Sequence, residues 1–304
     1  MSWLLLDAGN TALKWAIISP HAWPWGPDEP APTQVLARGT HGIDPVQLHA
    51  PLQAALGAAL ARLAGDLPTE VYGCAVASAP ALAAIEAACA SALQMALGTA
   101  AAVQWLTACA RFDHDGIVLR NGYRVPEQLG ADRWHAQIGA RARFPGHALA
   151  VINAGTATTV DGIDVDGRFL GGVIAPGIDL MRASLAHGTA RLPMAMGSFA
   201  AHPDNTEDAI RTGILDAQCG LVERRLCRIR ERAGGEIITV VCGGHATALL
   251  SALLTAPHVR AEPGKVVHEP DLVLRGLWQA GLARSHLAPH PDRRGGVPAR
   301  TPPA

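Results

Sequence analysis

The sequence predicts a mixed α/β protein built from two copies of one unit, and three observations carry that prediction. A short segment recurs, Leu5-Leu6-Asp7-Ala8-Gly9-Asn10-Thr11 near the start and Val151-Ile152-Asn153-Ala154-Gly155-Thr156-Ala157-Thr158 at the midpoint. Each copy is an apolar run ending in Asp or Asn, then Ala-Gly, then hydroxyl or amide side chains. Each is followed by the same order of patterns, three strand-like runs and then alternating helical and strand-like runs. The length, 304 residues of which 49% are hydrophobic and 17% charged, exceeds what one simple core fills and suits two domains of roughly 100 to 200 residues each.

In the first half, residues 2–7 and 12–19 are apolar runs flanking the Gly9-Asn10 turn, which is a β-hairpin signal. The segment His21 to Pro32, with Trp23, Trp25 and several prolines, reads as a surface loop. A strand near 34–38, a helix at about 46–64, a strand at 70–77, a helix at 80–97 and a strand near 102–106 follow. In the second half, 148–153, 157–163 and 168–174 read as strands, the last two joined through Asp164-Val165-Asp166-Gly167. Helical patterns come next at 178–187 and 205–233, then a strand at 237–242, a helix at 245–255, and a last strand and helix between 265 and 284. The expected domains are 1–145 and 146–285. The Pro, Arg and Gly-rich tail, 286–304, is expected to be disordered.

Composition narrows the function classes. A formal net charge of -1 offers no electrostatic footprint for nucleic acid. Cys74, Cys89, Cys109, Cys219, Cys227 and Cys242 show neither a CxxC pair nor zinc spacing, so they read as reduced core residues. Asp7 and Lys14 interrupt the apolar N-terminus, and no run of about 18 apolar residues stands out. The expectation is a cytoplasmic protein without a membrane partner.

The candidate chemistry sits on the repeats and between them. A small-residue turn leaves backbone N–H groups free to approach phosphate oxygens. Asp7 ends a buried strand at such a turn, either as a magnesium partner, directly or through water, or as the cap of an Asx-turn. Lys14, on the outgoing strand, is either a point charge for a phosphate or the solvated residue of an alternating strand. Thr11, Thr156, Thr158 and Thr159 are ambiguous because threonine also favours strands. Between the repeats a helix is expected to start near Gly130, with Asp132 and Arg133 in its first turn after a Tyr123-bearing loop. Asp132 is either a residue favoured by the helix dipole or a base that takes a proton from an attacking hydroxyl, with Arg133 holding an anionic substrate group. Gly171-Gly172 and Gly243-Gly244 permit close backbone approach to a ligand, or are tight packing turns. His245 reads as a helix-start residue.

Taken in order, these pieces resemble type III pantothenate kinases, of the acetate and sugar kinase, heat-shock-70 and actin superfamily. The matching elements are DAGNTALK at 7–14, Tyr123, GADRW at 130–134, AGTATTVD at 154–161, GGVIAPG at 171–177, NTEDAIRTG at 205–213 and CGGHA at 242–246. The resemblance implies two actin-like, ribonuclease-H-like domains with the active site in the cleft between them, and a homodimer. It implies ATP with Mg2+, bound by Asp7, Ala8, Gly9, Asn10, Thr11, Ala12, Leu13 and Lys14 as the first phosphate loop, and by Thr156. Asp132 would accept the proton of the pantothenate hydroxyl. Tyr123, Gly130, Ala131, Asp132 and Arg133 would bind pantothenate, with Thr206 supplied by the partner subunit. One departure stands out: the family carries Asp where this chain has Asn153, and that Asp helps hold a monovalent cation, K+ or NH4+. An amide keeps the oxygen and loses the charge, so a weaker or altered cation site is expected. Two other readings stay open, an accessory factor in transcription without turnover and a kinase of the same fold acting on a sugar or carboxylate.

Overall fold

The computed structural model describes residues 2–19, 35–63, 65–98, 101–194, 196–255 and 265–287. The Trp/Pro segment 21–32 lies outside these residues, as does the tail from 288 onward.

The first half opens with β1 (Ser2–Ala8), β2 (Ala12–Ile18) and β3 (Val35–Gly42), continues through α1 (His49–Leu60), β4 (Pro68–Ala75), α2 (Ala79–Leu97) and β5 (Gln104–Trp105), and adds a hairpin, β6 (Arg111–His114) and β7 (Ile117–Arg120), before α3 (Ala131–Arg143). Its sheet has the order β3-β2-β1-β4-β5, with β1 antiparallel to β2 and parallel to β4. The second half runs β8 (Leu149–Ala154), β9 (Ala157–Ile163), β10 (Phe169–Pro176), α4 (Ile178–Gly188), α5 (Thr206–Ala233), β11 (Ile238–Cys242), α6 (Ala246–Thr255), β12 (Val266–His268) and α7 (Leu272–Leu287). Its sheet order, β10-β9-β8-β11-β12, repeats the first strand for strand. This is the duplicated α/β architecture that the repeat implied, in the ribonuclease-H-like form that the resemblance implied.

Period-two patterning explains how β1 is buried on both faces. Leu4 and Leu6 pack with Leu52 and Leu56 of α1 and Ile85 and Leu93 of α2. Trp3 and Leu5, one residue out of phase, join Trp134 of α3 and Leu277 and Trp278 of α7. Each fully buried leucine of this kind contributes roughly 1.5–3 kcal/mol. The helix α2 is long and apolar enough to cross a membrane by length and composition alone, which the sequence reading had not anticipated. Its Ala81, Ile85, Ala88, Cys89, Ala92 and Leu93 are instead buried as one stripe. Pro80 in its first turn and the left-handed Gly98 after its last set its limits.

Two findings depart from the sequence expectations. The hairpin β6–β7 was missed, although Asp115-Gly116 carries its turn, both residues with positive φ (47° and 76°). The helices α3 and α7 also cross between the halves. Closing the first half, α3 rests on β8 and β9 as well as β4, and α7, closing the second, rests on β1 and β4 of the first sheet.

Candidate active site

Both Ala-Gly turns are closed by the glycine amide, the first being one residue longer than the second. The amide of Gly9 donates to the carbonyl of Ala12 (3.0 Å), and that of Gly155 to Ala157 (3.2 Å). The correspondence extends across each sheet: Asp7 pairs in register with Lys14 and Cys74, and Asn153, its counterpart, pairs with Thr159 and Cys242. The turns face one another, because the exposed hydroxyls of Thr11 and Thr156 are hydrogen-bonded across 145 positions of sequence. Of the four ambiguous threonines, Thr158 and Thr159 are buried strand residues. Thr11 and Thr156 are the two that reach the cleft.

Burial pushes the Asp7 carboxyl up to about 7, opposed by the Lys14 ammonium and reinforced by the nearby Asp132 carboxylate. The Cys74 thiol lies 3.9 Å from Asp7 Oδ1 as its hydrogen-bond donor. Lys14 also lines a cavity of about 390 Å³ with Arg38, Thr40 and Asp271. These residues suit a triphosphate with a divalent cation. Mg2+ is usually held by one or two carboxylates together with phosphates and waters, and among the described residues no cluster of three or more His, Cys, Asp or Glu competes as an all-protein metal site. Asp7 would then be the carboxylate nearest the cation.

The same burial sets a pH dependence. Between pH 4 and 7 the folded chain keeps a proton on Asp7 that the unfolded chain has released, so this carboxyl makes stability fall as pH rises through that window. In nucleotide-free, metal-free protein, the melting temperature of Asp7→Asn relative to wild type is expected to climb from pH 4 to pH 8. The pKa difference corresponds to up to about 4 kcal/mol at full ionisation. A difference that stays flat across that range in paired melting curves would show that ionised Asp7 carries no burial penalty.

The segment before α3 gathers the remaining candidates. Asn121 folds its loop, with Oδ1 accepting from the Tyr123 amide (3.0 Å) and Nδ2 donating to the Pro126 carbonyl (3.0 Å). Gly130 caps α3, and a side chain there would bring its Cβ to 2.7 Å from Asp132 Oδ1, so glycine leaves room for the carboxylate. Burial raises the Asp132 carboxyl, held back by the Arg133 N–H, the Arg133 charge and its own N–H at the start of the helix. The net shift is toward neutrality, the direction that makes a carboxylate a better proton acceptor.

Arg133, 4% exposed, sends Nε to Asp161 Oδ2 (3.0 Å) and one terminal nitrogen to Asp161 Oδ1, while the other donates to the Tyr123 hydroxyl (3.0 Å). Three of its five N–H groups are thereby engaged. Two N–H groups remain for a substrate anion, the role expected of Arg133, on a guanidinium whose plane its neighbours fix.

A family model described as type III pantothenate kinase matches residues 3–228. The chain belongs to that family. Among curated relatives named type III pantothenate kinase, the protein of Aromatoleum aromaticum is 41% identical over 285 residues, covering 94% of this chain and 99% of the relative. That of an Azoarcus species is 39% identical over 293 residues, with 95% and 94% covered.

In this pantothenate kinase family member Asp7 lies near the end of β1, Lys14 lies on β2, Thr11 and Thr156 sit on the two turns, Tyr123 on the loop before α3 and Asp132 in the first turn of that helix. Thr206 lies elsewhere, at the start of α5, lining an apolar groove with Leu180, Leu185 and Ile210. His245 precedes α6, and its Nε2 lies 3.0 Å from Asp179 Oδ2 at the start of α4. Asp161 was quoted only as the end of a motif and given no role. Its signal was an Asp inside a strand of otherwise uncharged residues, followed by Gly162, a position that calls for a buried cation. Each glycine pair has one crowded and one open member: Gly172 and Gly243 are packed, whereas a Cβ on Gly171 or Gly244 would meet nothing within 4 Å. A Cβ on Gly243 would sit 2.6 Å from Asn153 Oδ1, and one on Gly177 would sit 2.2 Å from the Gly155 carbonyl oxygen.

Proposed function

We propose that this chain is an ATP-dependent pantothenate kinase, carrying out the first step of coenzyme A synthesis, with Asp132 as the general base. The observation that carries the reading is the family relationship over nearly the whole chain, joined to a carboxylate at the head of α3 whose field reaches Asp7 on the opposing turn. Asp132 accepts the proton of the primary hydroxyl of pantothenate as that oxygen attacks the γ-phosphate. Phosphoryl transfer needs positioning and charge neutralisation more than covalent chemistry. The segment Asp7, Ala8, Gly9, Asn10, Thr11, Ala12, Leu13 and Lys14, together with Thr156, holds ATP, and Mg2+ neutralises its phosphates when bound. Tyr123, Gly130, Ala131 and Arg133 shape the acceptor pocket between domains 1–145 and 146–285.

The reading also assigns a cytoplasmic homodimer in which Thr206 reaches the partner's acceptor pocket. The groove beside Thr206, flanked by exposed Leu180, Met194, Met196 and Phe199, supports a covered surface there. A monovalent cation, K+ or NH4+, assists at Asn153, with lower affinity than an Asp would give. Asn153→Asp is accordingly expected to lower the potassium concentration for half-maximal activity by about tenfold, one added charge at ion-pair distance being worth roughly 1–4 kcal/mol. Titration of activity with KCl in sodium buffer checks it, and an unchanged midpoint would remove Asn153 from the cation site.

The deciding experiment is coupled ADP release with pantothenate, with glucose and acetate as control acceptors, in sodium, potassium and ammonium buffers. Turnover with pantothenate alone is expected. Turnover only with another acceptor would overturn the assignment.

A further inference from the structure

Asp161 is the fifth residue of β9, the strand in the second half of the chain that leaves the Thr156 turn. It is 1% exposed, and it receives two parallel N–H groups from Arg133, which belongs to α3 of the first half. Such fork-to-carboxylate pairing fixes a guanidinium in plane as well as in place. The third engaged N–H of that guanidinium donates to the Tyr123 hydroxyl. The Arg133 carbon centre stands 5.8 Å from the Tyr123 ring centroid, and the Phe169 ring, tilted against it, has its centroid 5.6 Å away.

The pair is also closed from above. Gly172 is the register partner of Asp161 on β10, and a Cβ there would fall 1.8 Å from Asp161 Oδ1 and 2.6 Å from an Arg133 terminal nitrogen. Gly122, next to Tyr123, is pressed the same way, its Cβ position lying 2.1 Å from the Phe169 carbonyl oxygen. A buried ion pair contributes little net stability when compared with an apolar replacement. An arrangement with glycine on one side, an aromatic ring on another and one remaining hydrogen bond aimed at a half-buried phenol is better explained by geometry than by stability.

We infer that Asp161 is a positioning residue for the acceptor pocket: through Arg133 it sets the orientation of the Tyr123 hydroxyl. Tyr123 and Arg133 are the groups that meet the acceptor, so the inference rests on the pantothenate reading above. Asp161 itself touches no reacting atom. Its effect should appear in acceptor binding and leave ATP binding nearly alone, because the first phosphate loop, at 7–14, is on other elements and Thr156, on the turn before β9, bonds to Thr11 rather than to the Arg133 pair.

Steady-state kinetics of Asp161→Asn, Tyr123→Phe and the double variant test this, with folding checked by circular dichroism. Asp161→Asn is expected to raise KM for pantothenate by about tenfold or more while KM for ATP stays within about twofold. In the double variant the two effects should not multiply, because Asp161 acts through the same hydroxyl that Tyr123→Phe removes. Equal rises in both KM values, or fully multiplicative effects, would overturn the inference. If Asp161→Asn does not fold, Gly172→Ala carries the test, since it drives a methyl into the pair with both charges kept and should give the same KM pattern. Wild-type protein without pantothenate turnover overturns the underlying reading and this inference together. Wild-type turnover with an unaffected Tyr123→Phe overturns the inference alone.

Discussion

Asp132→Asn is expected to lower kcat for pantothenate phosphorylation by roughly 10²- to 10⁴-fold, the span general-base catalysis contributes, with KM for ATP nearly unchanged. The amide is close to isosteric, so it fits the space that Gly130 leaves beside Asp132 Oδ1. It also keeps a carbonyl oxygen facing the first N–H groups of α3. What it loses is the ability to take a proton, and a site whose burial already shifts that carboxyl upward depends on that ability most. The pH profile separates this role from a structural one. In wild type, kcat should fall at low pH as Asp132 is protonated, and in the variant that limb should vanish from the residual rate. The measurement is coupled ADP release across pH 5 to 9 on protein with an unchanged melting temperature. Undiminished turnover would remove Asp132 as the base.

The repeated turns were legible because their information is local. An Asp or Asn, a glycine and a hydroxyl at fixed spacing on a period-two strand specify a hairpin without help from distant residues. That same locality placed Thr11 and Thr156 on the two turns, whose hydroxyls meet in the folded chain. The β6–β7 hairpin was equally local, and Asp115-Gly116 was its signal. Its strands are only four residues each, which left little alternation to notice.

Asp161 belongs to a different category. Its partner Arg133 is 28 positions away on a helix from the other half, so an Asp in an uncharged strand calls for a cation while nothing within β9 says which one. The limits of β5 were also set at long range. Only Gln104 and Trp105 find partners on β4, opposite Tyr72 and Gly73, so the expected five-residue strand shortens to two. Gly73 accommodates that contact, for a Cβ there would lie 2.5 Å from the Trp105 ring.

The crossing of α3 and α7 was the least legible feature, and it carries a large expected effect on stability. Gly139 lies inside α3 and Gly276 inside α7, where a glycine ordinarily costs about 1 kcal/mol relative to alanine. In the folded chain they are the contact. A Cβ on Gly276 would fall 1.7 Å from the His135 carbonyl oxygen and 2.5 Å from its carbon, and one on Gly139 would fall 2.5 Å from the Leu272 carbonyl oxygen. These obstacles are backbone atoms, so no rotamer change relieves them and the helices must separate. Overpacking a core typically costs 1–3 kcal/mol, and Gly276→Ala is expected at or above the top of that range, about 3 kcal/mol. For a chain of this size that lowers the melting temperature by roughly 6–12 °C. Activity should fall with it, because α3 also carries Asp132 and Arg133 in its first turn. Gly220→Ala is the matching control: Gly220 is exposed within α5 and has open space at its Cβ position, so alanine should stabilise there by about 0.4–1 kcal/mol. Differential scanning calorimetry of the two variants reads opposite signs from the same chemical change. A Gly276→Ala protein that melts with wild type would mean that the two halves are not held together by this crossing.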